Sequence, residues 1–394
     1  MSGTLNSIYD NASYSLRLHT NAMALLQEQV TTGSRINRSS DDPSSAFRVL
    51  GLNSQSKSLT SYIDSLSEVI STLEISSSVI DDITTSLSSA NTLLTQVTSG
   101  IYTDDARART AEEINDILEQ MVQLANTKHS NQYLFGGSNT STAPYLIERT
   151  NGEITSVTYQ GSYENRNIEV APNINSSAFF VGEDIFCSDD RGEPVFTGQT
   201  GAQAGTGTSS VTGNIWLTVT GSAGDYTLSI DGGLSTFHTD GTDTNLAVTD
   251  SVTGQVLYID TTEINSTGTD MVSVPGTHDI FQTFITIRDI LNNDQGFSES
   301  ELSELRDMAV DSLEEVRSLL AEKSVSVGSR IGFLEDIKNS LENIQYNTED
   351  ETTRLQEADI AQIAIDLSRR EVLYEMSLSV IGTLISASLI DFLD

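Results

Sequence analysis

Side chains that could do acid–base, nucleophilic or metal chemistry are few and scattered in this chain of 394 residues. The four histidines, His19, His129, His238 and His278, each stand apart from cysteine and from one another at ligand spacing, so no zinc set is available. They read as solvated surface residues, with His19 on a helix stripe. No G-x-S-x-G, H-E-x-x-H or Walker loop occurs, and Gly136-Gly137 reads as a glycine stop where a helix gives way to a turn. The pairs Asp41-Asp42, Asp81-Asp82 and Asp189-Asp190, and Asp240 with Asp243 in TDGTDTN, offer oxygen ligands, yet none fits the twelve-residue calcium loop. They read as solvated acidic faces. Asn139, Asn175 and Asn265 open formal glycosylation sequons of the kind that Ser/Thr-rich loops generate by chance. With no reacting constellation, the expectation is a protein that is not an enzyme and carries no cofactor and no metal.

What remains is a function of surfaces. Twenty basic residues face 56 acidic ones, a formal charge of -36, which argues against nucleic acid or anionic membrane as a partner and favours solubility at high concentration or in a salty medium. Cys187 is the single cysteine, so intrachain disulfides are excluded and stability rests on packing. The start, MSGTLNSIYDNASYSLRLH, lacks a basic leader and an apolar core and does not read as a cleavable signal. The most apolar stretch, residues 376–390, is 15 residues long and interrupted by Ser, Thr and Gly, too short and polar to span a bilayer. The length suggests two or three domains.

The elements follow from breakers and periodicity. All five prolines lie between Pro43 and Pro275, and 19 of 27 glycines lie between Gly136 and Gly276, so long helices are permitted outside the middle and turns and strands within it. Leu66, Leu73, Ile80, Leu87 and Leu94 fall seven apart, with Ile63 and Ile70 at the alternate positions before Ser77, Thr84 and Asn91 weaken the stripe. A second helix starts at Asp104-Asp105 and carries Ile114, Ile117, Met121 and Leu124. Leu313, Leu320, Val327, Leu334 and Leu341 repeat the step, with Val316, Ile337 and Ile344 between. Neither half buries its stripe alone, so the halves are expected to pack antiparallel with the middle as an insertion. The ends, about 3–32 and 353–390, carry thinner stripes, Ile8, Ala12, His19, Met23, Leu26 and Val30 at one end and Ile360, Ile363, Leu367, Tyr374 and Ile381 at the other. These are expected to be disordered in a free subunit and to fold against neighbours. Alternation at residues 215–219, 226–230 and 256–259 predicts hairpin strands, with a turn at Asp231-Gly232, and 198–213 reads as a flexible loop.

One passage names a family. The run from Thr32 to Pro43, TGSRINRSSDDP, closely resembles the turn between the first two helices of the flagellin family. Gly33 can end a helix, Asp41 or Asp42 can cap the next, and Pro43 suits a first turn. Arg35, Ile36 and Asn37 complete the signature. Leu124-Ala-Asn-Thr, the run Tyr133, Leu134, Phe135, Gly136, Gly137, Thr142-Ala-Pro-Tyr145, Ala358-Asp-Ile-Ala361, Asp366-Leu-Ser-Arg-Arg370 and Ser388-Leu-Ile-Asp-Phe-Leu393 resemble the hook-associated, junction branch of that family, and Asp-Asp-Pro leans the same way. The resemblance covers about 1–145 and 300–394, while only Gly328 and Arg330 echo the longer Arg- and Asn-rich signature of filament flagellins.

This resemblance implies an α+β fold, a long antiparallel coiled-coil-like bundle of N- and C-terminal segments with an inserted mainly β domain. The expected division is 1–42 with 350–394 as a terminal helical assembly domain, 43–140 with 279–349 as a helical bundle, and 141–278 as the β-rich insert. It implies an extracellular structural subunit joining hook to filament, exported unfolded through the flagellar type III apparatus and assembled as a ring. Its partners would be copies of itself, the other junction protein, flagellin and an export chaperone. Ile8, Met23, Leu26, Ile360, Leu367, Leu389 and Phe392 would be assembly contacts, and Gly33 to Pro43 the joint between helical domains. The rivals are a filament flagellin and a coiled-coil surface adhesin.

Overall fold

The computed structural model describes the backbone of residues 2–99, 103–293 and 295–393, and the side chains of 9–97, 103–293 and 295–383. The helices are α1 (Ser2–Thr32), α2 (Pro43–Ser99), α3 (Asp104–Ala125), α4 (Gly182–Phe186), α5 (Ile280–Asn292), α6 (Glu299–Gln356) and α7 (Ile360–Leu393). Between α3 and α5 lie β1 (Lys128–His129), β2 (Gln132–Tyr133), β3 (Tyr145–Thr150), β4 (Glu153–Tyr159), β5 (Asn167–Ala171), β6 (Ile174–Ser177), β7 (Val195–Thr197), β8 (Gln203–Ala204), β9 (Gly213–Ser222), β10 (Asp225–Ser229), β11 (Phe237–Thr239), β12 (Leu246–Thr249), β13 (Val256–Asp260) and β14 (Gly268–Val274). The chain divides into two compact units, residues 1–64 with 337–394, and residues 65–336.

In the first unit α1 packs along α7. The start of α2 runs antiparallel to the end of α6, since Arg48 pairs with Glu351 while Thr60, twelve residues on, accepts from Gln345 Nε2 at 3.1 Å.

In the second unit the seven-residue stripe of α2 is buried from Leu66 to Leu94. The alternate seam positions, however, are Val69, Ser76, Ile83, Ala90 and Val97, every one buried, rather than Ser77, Thr84 and Asn91. A heptad alternates steps of three and four, and the three-residue step follows each leucine here. The stripe therefore does not weaken. Its one polar member, Ser76, returns its hydroxyl to Thr72 O at 2.9 Å. From Ile80 onward these residues share a core with Ile114, Leu118 and Met121 of α3, with α5, and with Leu313, Val316, Leu320 and Val327 of α6. Each fully buried Leu or Ile contributes about 2 kcal/mol. Helix α5 starts on Asp279, whose Oδ1 accepts from Phe281 N at 2.6 Å and Gln282 N at 2.8 Å.

The β1/β2, β3/β4 and β5/β6 hairpins precede a sandwich of a five-stranded sheet, ordered β11-β10-β9-β14-β7, and a three-stranded one, β12-β13-β8. Every pairing is antiparallel. The two sheets share their own core around Leu217, Val219, Leu228, Val248, Leu257 and Ile259. The predicted strands appear as β9, β10 and β13, and residues 230–236 with Asp231-Gly232 connect β10 to β11. The stretch 198–213 is mostly loop, but Gln203 and Ala204 pair with β13. The buried Arg288 of α5 ties the layers together by donating to Asn115 Oδ1 of α3 at 3.1 Å and to Ile154 O of β4.

Candidate assembly interface

The passage from Gly33 to Pro43 is a hydrogen-bonded joint. Gly33 ends α1 at φ +67, a left-handed value that glycine adopts without strain. The chain then pairs with the segment between α6 and α7: Ser34 bridges Glu357, Arg35 N donates to Gln356 O at 2.7 Å, and Ala358 N donates to Gly33 O at 3.0 Å. Arg35 reaches further, from Nη2 to Leu355 O at 3.2 Å and from Nη1 to Asp42 Oδ2 at 3.4 Å. Asp41 closes the turn by accepting from Asn37 N at 3.1 Å and Arg38 N at 2.8 Å. Asp42 caps α2, accepting Ser45 N at 3.1 Å and Ser45 Oγ at 2.7 Å, and these bonds hold its carboxyl below the usual range. Pro43 takes the first helical position, where its missing N–H is not needed. Asn37 Nδ2 donates to Ser34 O at 3.2 Å, and Ile36 is half-buried.

The run from Tyr133 to Gly137 forms a second knot, in the second unit. Leu134 and Phe135 are fully buried. Leu134 N donates to Thr127 O at 3.2 Å, Phe180 N to Leu134 O at 3.0 Å, and Gly182 N to Phe135 O at 3.0 Å. Tyr133 N donates to Thr140 O at 2.9 Å, and the Tyr133 ring lies 4.4 Å from Lys128 Nζ. The two glycines are not a helix stop, because α3 has already ended at Ala125 with Asn126 as its cap. They let loop backbone approach closely: a Cβ at Gly136 would lie 2.3 Å from Asn139 O, and one at Gly137, where φ is +62, would lie 2.1 Å from Ser162 O.

The terminal helices present apolar surface. Ile360 is 45% exposed, and Tyr9, Tyr14, Leu18, Leu25 and Val30 on α1, with Ile365, Val372, Met376 and Val380 on α7, are also exposed. Met23, Leu26 and Leu367 are half-buried. Ile8, Leu389 and Phe392 belong to the same helices, but their side chains lie outside the described residues. A groove of about 430 Å³ between α1 and α7 is lined by Ala12, Ser15, Leu373, Met376, Val380 and Ile381. The half-buried stripe on α1 is the one the sequence periodicity marks. Val30, a member of that stripe, is nonetheless 40% exposed, while Tyr9, Tyr14, Leu18 and Leu25 lie off it; Phe47 and Leu50 of α2 are 81% and 65% exposed.

The histidines divide. His278 is buried, not solvated, because Gly276 to Asp279 runs beneath the sandwich; the other three are exposed or half-buried. Asp240 accepts from Thr242 within its own loop, and Asp243 accepts from Thr239 Oγ1 at 2.7 Å. Among the described residues no helix is long and apolar enough to cross a membrane.

Residues 4–140 match the model of the bacterial flagellin N-terminal helical region. The chain is 31% identical over 123 residues to the flagellar hook-associated protein 3 of Escherichia coli, a match that covers 31% of this chain and 39% of that relative. The crystal structure of FlgL from Xanthomonas campestris superposes with a TM-score of 0.51 at 20% identity, covering 76% of this chain and 98% of that one. The flagellar junction protein FlgL from Legionella pneumophila gives 0.50 at 17% identity, over 78% of this chain and 100% of that one. The protein is similar in fold to these solved structures, and residues 4–140 carry the flagellin signature.

Proposed function

We propose that this chain, a FlgL-like protein of the flagellin family, is a non-catalytic structural subunit of the bacterial flagellum, placed where hook meets filament and assembled through its terminal helices. The observation that carries this reading is the apolar surface on α1 and α7, exposed in an isolated subunit of FlgL-like fold. Exposed apolar side chains in such number mark an interaction surface. Identical subunits that use different faces build rings or open helices, and a ring fits a junction. Residues 1–42 with 350–394 form the assembly segment in this reading, 43–140 with 279–349 the bundle, and 141–278 the outward insert. Met23, Leu26, Ile360 and Leu367, with Ile8, Leu389 and Phe392, contact neighbouring subunits, among them the other junction protein and flagellin.

Ordering the terminal helices opposes assembly by roughly 1 to 2 kcal/mol per backbone residue, so extensive burial between subunits is needed. That cost holds off assembly before export, when a chaperone covers the C-terminal end. A chain with one cysteine forms no intrachain disulfide to block passage through a type III channel, and its destination is extracellular. Deleting the last ten residues is expected to abolish incorporation into flagella while the β sandwich stays folded, as read by motility, electron microscopy and circular dichroism of the purified chain. Normal flagella from that truncation would contradict the reading. A filament flagellin is the second reading, because the matching family model describes flagellins.

A further inference from the structure

Two passes of the chain, residues 187–192 and 275–279, form a neck between the β sandwich and the helices. They pair through the backbone: Ser188 N donates to His278 O at 3.1 Å, and Asp190 N to Gly276 O and Gly192 N to Pro275 O, both at 2.7 Å. Beside apolar packing around Met271, three specific contacts hold the base of the sandwich to the α6 region. Gly276 N donates to both carboxylate oxygens of Glu315 at 3.0 Å. Asn214 Nδ2 donates to Ser312 Oγ at 3.2 Å. Trp216, the single tryptophan, stacks on Phe297 with ring centres 5.5 Å apart.

His278 lies within this seam, 3% exposed. Its Nε2 is 3.7 Å from Glu315 Oε2, beyond hydrogen-bond reach, and its Nδ1 is buried with no partner among the described residues. A neutral ring leaves one acceptor unmet. An imidazolium would add a buried charge and an N–H at Nδ1 with nothing to accept it. Attraction to Glu315 opposes this, but that carboxylate is 27% exposed and already receives Gly276 N–H. Burial therefore outweighs the attraction and holds the ring below its ordinary pKa.

Of the other ionisable groups in the neck, Asp189 and Asp190 are exposed to solvent, and Cys187, Asp279 and Arg191 are engaged elsewhere. Cys187 Sγ donates to Asp279 Oδ2 at 3.0 Å, and Glu183 of α4 acts on that pair. Arg191 commits its guanidinium to the carbonyls of Ser209, Ser210 and Val211. Glu315 is the charged group that acts on the His278 ring.

We propose that His278 is an acid trigger in the neck: protonation of its ring releases the base of the β sandwich from α6. The sign follows from linkage. A histidine whose docked pKa lies below the free value of about 6.5 leaves docking at full strength above that pH and weakens it as the pH falls. Asp279 titrates in the opposite sense: burial raises it to about 6, so its own contribution favours the native form as the pH falls from about 6 to about 4. Asp279→Asn removes that opposing titration and keeps an acceptor for the first amides of α5.

Trp216 reports the event directly in the full chain. Its emission is expected to shift to the red as the pH drops below about 6.5 in the wild type and in Asp279→Asn, and to stay constant in His278→Gln that is folded at neutral pH by circular dichroism. Flat wild-type emission, or a His278→Gln chain that titrates like the wild type, overturns the proposal. Should His278→Gln fail to fold, hydrogen exchange of the wild type carries the test. After correction for intrinsic rates, faster exchange across Gly213 to Leu217 on the acid side of the transition supports it, and equal rates refute it.

Discussion

Gly33 and Gly137 both adopt a left-handed φ, yet they differ in what a side chain would meet. At Gly33 a Cβ finds open space, whereas at Gly137 it strikes Ser162 O at 2.1 Å and Glu164 O at 2.9 Å. Gly33→Ala is therefore expected to lower stability by about 1 kcal/mol, the left-handed penalty alone. Gly137→Ala adds a backbone clash and is expected to lose about 3 kcal/mol or more. Chemical denaturation of the two variants checks the contrast, and equal losses would contradict it. At this scale Gly33, Asp42 and Pro43 were legible because capping is local chemistry. The role of Gly137 was not, because the carbonyl it must clear belongs to a loop some 25 residues on. His278 was misjudged for the same reason: Glu315, the carboxylate that approaches its ring, lies 37 positions on in α6.

For the long helices, the seven-residue spacing identified the leucine line of α2 but not its companion line. Ile63 and Ile70 drew the alternate positions toward Ser77, Thr84 and Asn91, while packing selects Ile83, Ala90 and Val97. Periodicity alone permits either step, and the partner helix decides. Substitution distinguishes the two lines. Ile83→Ala is expected to destabilise the second unit by about 2 to 5 kcal/mol, whereas Thr84→Ala, half-buried, should change stability by no more than about 0.5 kcal/mol. Thermal unfolding would show it, and a larger loss at Thr84 would restore the other register. Among the strands, β9, β10 and β13 were legible from alternation, but the pairing of β14 with β9 joins residues 49 to 61 positions apart, and no local pattern records that.

As a whole molecule the protein combines long helices from both chain ends with an insert that has its own core. That division could be read from where prolines and glycines fall, since breakers are excluded from long helices and gathered in turns. Its acidic balance was legible too, and in the proposed assembly 56 acidic side chains repel between copies, so the reading assigns the contacts to apolar faces. Exposed Tyr9, Tyr14, Leu18, Met376 and Val380 supply such faces. Their exposure could not be read from the sequence, because which side of each helix its partner covers is a tertiary choice. The central claim is one of place: a subunit that occupies a single level of the flagellum. Immunogold electron microscopy of intact cells, with antibody raised to residues 146–278, tests it most directly. The account predicts one labelled band where hook meets filament. Label along the whole filament would make the chain a filament subunit, and label elsewhere on the cell would contradict the flagellar assignment.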